Sequence, residues 1–159
     1  MYSINGTSDW KTSNNITDTN TKLPEGYSIA TDGTRLVACG LMNSSDVTKP
    51  IFTDDITGTY NNWVVASVWP ATLISSSTIA RQVAWNGRQW IIIVDTDLGS
   101  TSATGLISTD GNSWNTTFTK GSDSTRPEHS PEAIIWNSYA WIVVSKTATK
   151  TIYSNTWLS

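Results

Sequence analysis

Apolar residues in this chain fall in short runs separated by turn-forming residues, and the densest stretch runs from Val83 to Trp114. It opens with Val83-Ala84-Trp85, breaks at Asn86-Gly87, and resumes as Trp90-Ile91-Ile92-Ile93-Val94. Asn-Gly between apolar segments is a strong hairpin signal, because both residues tolerate the positive φ that a two-residue turn requires. The second arm is too short for a lone helix and rich in β-branched residues, so it predicts an interior strand covered on both faces. No window of a dozen residues keeps a helical period without Gly, Pro or alternating β-branched residues, and no helix is predicted.

The pattern repeats at a spacing of about 50 residues, in the range of propeller blades and similar β-repeats. Ile29-Ala30-Thr31-Asp32-Gly33 before Leu36-Val37-Ala38-Cys39, and Ile134-Ile135-Trp136-Asn137-Ser138 before Trp141-Ile142-Val143-Val144, both match the central hairpin. The later half of the unit recurs as well: Ile107 to Trp114 aligns with Ile152 to Trp157 and with Tyr2 to Trp10, and Ile51 to Trp63 is a looser copy. The predicted class is all-β, with propeller-like repeats of four-stranded antiparallel blades, about three to four in number and incomplete at both ends.

In chain order these are a partial blade at 1–17, blades at 27–69 and 81–119, and a partial blade at 132–159, all in one domain. The outer strand of the first full blade is expected over Trp63 to Val68, ended by Trp69-Pro70, since proline cannot donate to a ladder. Ala71 to Ala80 reads as a connection, and KGSDSTRPEHSPE after Thr119 as a charged surface loop.

Composition narrows the function. Charged residues are 14% of the 159 and the net charge is −3, against roughly 25% charged in an average domain. No basic stripe is present to hold nucleic acid or an anionic membrane. The single cysteine, Cys39, lies in an apolar run and reads as a buried structural thiol. No apolar run has the length of a membrane span and the N-terminus lacks a basic-then-apolar leader pattern, so synthesis in a cytoplasm without a signal peptide is expected.

The late turn Ser108-Thr109-Asp110-Gly111-Asn112-Ser113-Trp114 has its own logic. Asp can accept from backbone N–H groups two residues on, Gly supplies positive φ, Ser closes the turn, and Trp114 folds back as a wedge. Ser108, Asp110, Gly111, Ser113 and Trp114 resemble the Asp-box, or bacterial neuraminidase repeat, found between the third and fourth strands of propeller blades in sialidases and many non-sialidases. The copy here is one residue shorter than that pattern, and those ending at Trp10 and Trp157 lack the aspartate. The resemblance implies a non-catalytic structural turn.

A sialidase would further require an arginine triad, a Tyr/Glu nucleophile pair and an acid Asp, whereas this chain has only Arg35, Arg81, Arg88 and Arg126, with Glu25, Glu128 and Glu132 in linkers. Arg35 and Arg88 follow hairpin turns and read as solvated. Asp123, Arg126, Glu128 and His129 form a weak acid/base grouping on a surface loop. Asp54-Asp55 and Asp95-Thr96-Asp97 are candidate contributors to a Ca²⁺ site, which needs six to eight oxygens, but two carboxylates on a loop more often simply solvate it. No catalytic residue, metal or cofactor is predicted.

Aromatic faces also stack on sugars. Trp85, Trp90, Trp136 and Trp141 recur at fixed repeat positions and are expected to pack, which leaves Trp69, Trp10 and Trp157 as candidate carbohydrate-contacting residues. The partial units at the two ends suggest closure between chains, with one subunit completing the next. The expected function is a non-enzymatic structural or attachment component of a virus particle, such as a phage, acting at the virion or extracellular surface as a homo-oligomer or larger protein assembly. A glycan-binding lectin is the alternative, and a sialidase-like hydrolase a distant third.

Overall fold

The computed structural model describes residues 25–42, 49–56, 62–70, 78–95, 103–119, 131–145 and 152–154. They form eleven strands and no helix: β1 (Gly26–Thr31), β2 (Leu36–Met42), β3 (Ile51–Thr53), β4 (Val64–Val65), β5 (Thr78–Trp85), β6 (Trp90–Asp95), β7 (Ala103–Ser108), β8 (Asn115–Thr119), β9 (Pro131–Trp136), β10 (Trp141–Ser145) and β11 (Ile152–Ser154). The all-β class follows the sequence pattern. The predicted partial blade at 1–17, with Trp10, lies outside the described residues, as does Trp157.

All strand pairings are antiparallel, in three successive meanders: β1–β4, β5–β8 and β9–β11. The first two merge into one strongly curled sheet of order β4-β3-β2-β5-β6-β7-β8, with β1 also on β2. The merger occurs because the end of β2, where Leu41 N–H still donates to Glu25 O (2.9 Å), gains β5 as a further partner. Leu36 to Gly40 pair with β1, whereas Leu41 and Met42 pair with Ile79 and Thr78 of β5. The expected connection over Ala71 to Ala80 is thus shorter, because long-range pairing draws Thr78 and Ile79 into the sheet.

β6 is buried from Trp90 to Asp95, as its sequence requires. Its alternate side chains serve two cores. Trp90, Ile92 and Val94 join Val37, Cys39, Phe52 and Leu106 in one, while Ile91 and Ile93 join Ile134, Trp141 and Val143 in the other. The first meander therefore curls over one face of the second, and the third packs on its opposite face. Each aliphatic side chain buried in this strand stabilises the fold by about 1.5–3 kcal/mol.

The three hairpin loops differ from the expected two-residue turn. Pairs Thr31↔Leu36, Trp85↔Trp90 and Trp136↔Trp141 close four-residue loops in all three meanders. In each, the first loop residue accepts through Oδ1 from the backbone N–H groups two and three residues on: Asp32 from Thr34 and Arg35, Asn86 from Arg88 and Gln89, Asn137 from Tyr139 and Ala140. Positive φ falls only on the second residue, at Gly33 (94°), Gly87 (92°) and Ser138 (75°). The side-chain acceptor holds the first residue in an ordinary conformation, so Asn86 has no need of the left-handed region.

The outer strand of the first meander is also shorter than predicted. Only Val64 and Val65 pair with β3, and Val68 leaves the ladder to form a parallel bridge with Ser113. That departure brings Ser67 and Val68 against the turn between β7 and β8.

Candidate functional site

The turn between β7 and β8 is built by two side chains. Ser108 Oγ accepts from the N–H groups of Gly111 (2.8 Å) and Asp110 (3.2 Å), and its hydroxyl donates to Asp110 Oδ1 at 2.9 Å. The same Oδ1 accepts from Asn112 N (2.8 Å) and Ser113 N (2.7 Å). Gly111 sits at φ 68°, which permits Trp114 to fold back and donate its indole N–H to Gly111 O at 3.1 Å. Trp114 is buried to 1% exposure, a contribution of about 4–6 kcal/mol as an upper bound. Ser108, Asp110, Gly111, Ser113 and Trp114 thus come together as one turn.

The turn also clasps the first meander. Trp114 N–H donates to Val68 O (3.0 Å), Val68 N–H to Asn112 O (3.3 Å), and Ser67 N–H to Asn112 Oδ1 (2.8 Å). Arg35 reaches in from the first hairpin loop: one guanidinium nitrogen donates to Asp110 O, two others grip Asp54 at 2.6 and 2.8 Å, and the group lies 4.3 Å over the Phe52 ring. Gly111 lies so near this surface that a Cβ would come within 2.9 Å of Val37 Cγ2 and 3.2 Å of Arg35 Cδ.

Charge follows contact. Burial opposes ionisation of Asp110, yet the N–H groups of Ser113 and Asn112 and the Ser108 hydroxyl outweigh it and hold the carboxyl below its ordinary value. The Arg35 hydrogen bond likewise holds Asp54 down, and Asp54 holds the Arg35 guanidinium charged. Asp32 is lowered in the same manner, its burial outweighed by the N–H groups of Thr34 and Arg35.

Two sequence readings change here. Arg35 is not a solvated residue after a turn, because it spans the joint between meanders; Arg88 is exposed. Trp69, expected as a sugar-contacting residue, is 7% exposed and meets Trp114 edge-on at 6.3 Å. Its ring belongs to the core, since the chain leaving β4 turns inward to bridge Ser113. Arg35 and Asn112 escaped the sequence reading. No local signal marked their contacts, because the partners lie in distant segments of the chain.

The other candidates are structural or outside the described residues. Cys39 is fully buried, and burial pushes its thiol well up. Asp95 is buried beside Arg81, 3.4 Å away. Asp97, Asp123, Arg126, Glu128 and His129 lie outside the described residues. Among the described residues no group of three or more His, Cys, Asp or Glu is placed to hold a metal ion.

A second feature is a cleft of about 590 Å³ where β1, β5, β9 and β10 converge, lined by Thr31, Gln82, Trp85 and Trp136 among mostly aliphatic residues. Trp85 and Trp136 are half-buried, each tilted against the tryptophan opposite it in its hairpin, Trp90 (4.9 Å) and Trp141 (5.2 Å). No family model matches the chain, and comparison with curated proteins and with solved structures finds no match.

Proposed function

We propose that this chain is a non-enzymatic structural component of a multimeric assembly, of the kind that forms the surface or attachment parts of a virus particle. The observation carrying this reading is the clasp around Gly111. Its chemically capable groups are all engaged: the Ser108 and Asp110 side chains build the turn, Asp54 holds Arg35, and Arg35 reaches Asp110 O in the next repeat. On this reading the meanders are blades of a propeller-like stack, and the Ser108–Trp114 turn is a shortened Asp-box whose tryptophan wedges each blade. The low charge of 14% accords with an object held together by apolar faces and turn hydrogen bonds.

The test is the solution mass of the intact chain by light scattering, before and after deleting residues 1–16. A multimer that falls apart on deletion supports an assembly with shared blades. A monomer whose core survives the deletion overturns it.

The cleft favours one second reading, a glycan-binding module, because half-buried Trp85 and Trp136 accompany the hydroxyl of Thr31 and the amide of Gln82. Quenching of tryptophan fluorescence by sugars, abolished in a Trp85→Ala, Trp136→Ala variant, supports it. Unchanged fluorescence across a sugar panel removes it.

A further inference from the structure

The two joints between meanders obey one positional rule. Ala30↔Val37, Ala84↔Ile91 and Ile135↔Ile142 are the same pair in the three meanders, one step in from the hairpin loop. In the first meander this face packs toward the second, and in the second it packs toward the third. In the third it is open: Ile135 is 62% and Val144 42% exposed. At the other end of the stack the opposite face is open over β1, while Ile51 and Thr53 of β3 on that face are buried. Val83 and Ile134, which receive a neighbour, are 2% and 4% exposed, whereas Ile29 at the matching position is 57% exposed. A sheet face left to water ordinarily turns polar. These two keep exposed apolar side chains at the positions that pack at the internal joints.

We propose that a second copy of this chain seats its Ile29 face on the Ile135–Val144 face, repeating between chains the joint that each chain makes twice within itself. The proposal rests on the assembly reading above and adds its geometry: a contact of two unlike faces, which either closes into a ring or runs on as a filament. The internal joints each carry a bridging side chain. Ser28 Oγ accepts from Val83 N (3.2 Å), and Gln82 Oε1 accepts from Ile134 N (2.8 Å). Ser28 and Gln82 are matching positions, and the third meander has Ala133 there. The joint between chains therefore lacks this bond, is weaker than those within the chain, and is open to strengthening.

The test uses sedimentation velocity on the full chain and on three variants. Ile29→Glu and Ile135→Glu each alter one exposed face, and circular dichroism checks that both fold. Each variant alone is expected to sediment as a monomer, while their equimolar mixture forms a dimer and stops there, because each copy keeps one working face. Ala133→Gln is expected to tighten self-association by about threefold to tenfold, the worth of one added hydrogen bond. If the wild type is a multimer and both charge variants remain so, the faces named here are wrong while the assembly reading stands. If the wild type is a monomer throughout, the assembly reading falls and this contact falls with it. If an Ile135→Cys variant of such a monomer reacts with maleimide only after residues 1–24 are deleted, the occupant is the chain's own N-terminal segment and the proposal is overturned.

Discussion

Replacing Gly111 by alanine separates backbone strain from inter-repeat contact, because the hairpin loops supply an internal control. Gly87 has φ 92° with no atom within 4 Å of where a Cβ would stand, and Gly111 has φ 68° with Val37 Cγ2 at 2.9 Å and Arg35 Cδ at 3.2 Å from that point. The left-handed region favoured by L-residues is centred near +57°, so backbone strain alone ranks Gly87→Ala as the costlier change. Contact reverses that order. Gly87→Ala should cost about 1–2 kcal/mol from conformation, whereas Gly111→Ala adds about 1–3 kcal/mol for overpacking against the first meander. Equilibrium urea unfolding of both variants reads the difference. In a Val37→Ala background the extra penalty should shrink, because the nearest clashing methyl is gone, and the double-mutant cycle gives the coupling directly. If Gly111→Ala is no worse than Gly87→Ala, the turn does not press on the first meander and the clasp is refuted.

Two further predictions concern the same turns. Ser138 holds φ 75° where the matching loop positions are glycine, so Ser138→Gly should raise stability by about 0.5–1 kcal/mol, strain relief exceeding the entropy cost of glycine; a lower thermal midpoint contradicts this. Asp32, Asp54 and Asp110 are all held below the ordinary aspartate value of 3.8, so on acidification the unfolded chain takes up protons first, and stability is full above that value and declines below it. Asp110→Asn should flatten the acid limb of a stability–pH curve; a limb as steep as the wild type's contradicts the turn's dependence on that carboxylate.

The strands were legible where local pattern and burial agree. β6 declared itself by an unbroken apolar run, and the three hairpins by Asp or Asn followed by Gly or Ser. The loop length was misread because Asn-Gly also suits a two-residue turn, and only the acceptor role of the first side chain distinguishes the four-residue form. The Ser108–Trp114 turn was legible because its hydrogen bonds are nearly all local. What it clasps was not, since Arg35, Ser67 and Val68 reach it through tertiary pairing. The pairing of Leu41 and Met42 with β5 was likewise invisible, because it joins segments more than thirty residues apart. Trp69 looked uncommitted after a strand-ending proline motif, and the inward turn at Val68 decided its burial.

In the proposed assembly, the rule joining repeats within the chain also joins copies of it. The most direct measurement is cross-linking with a short bis-maleimide after Ile29→Cys and Ile135→Cys are introduced, singly and together. Native Cys39 is fully buried and adds no background. A ladder of covalent multimers is expected from the double variant, one dimer band from a mixture of the two single variants, and none from either alone. Single variants that cross-link to themselves as readily as the mixture would contradict it, because the contact would then join like faces.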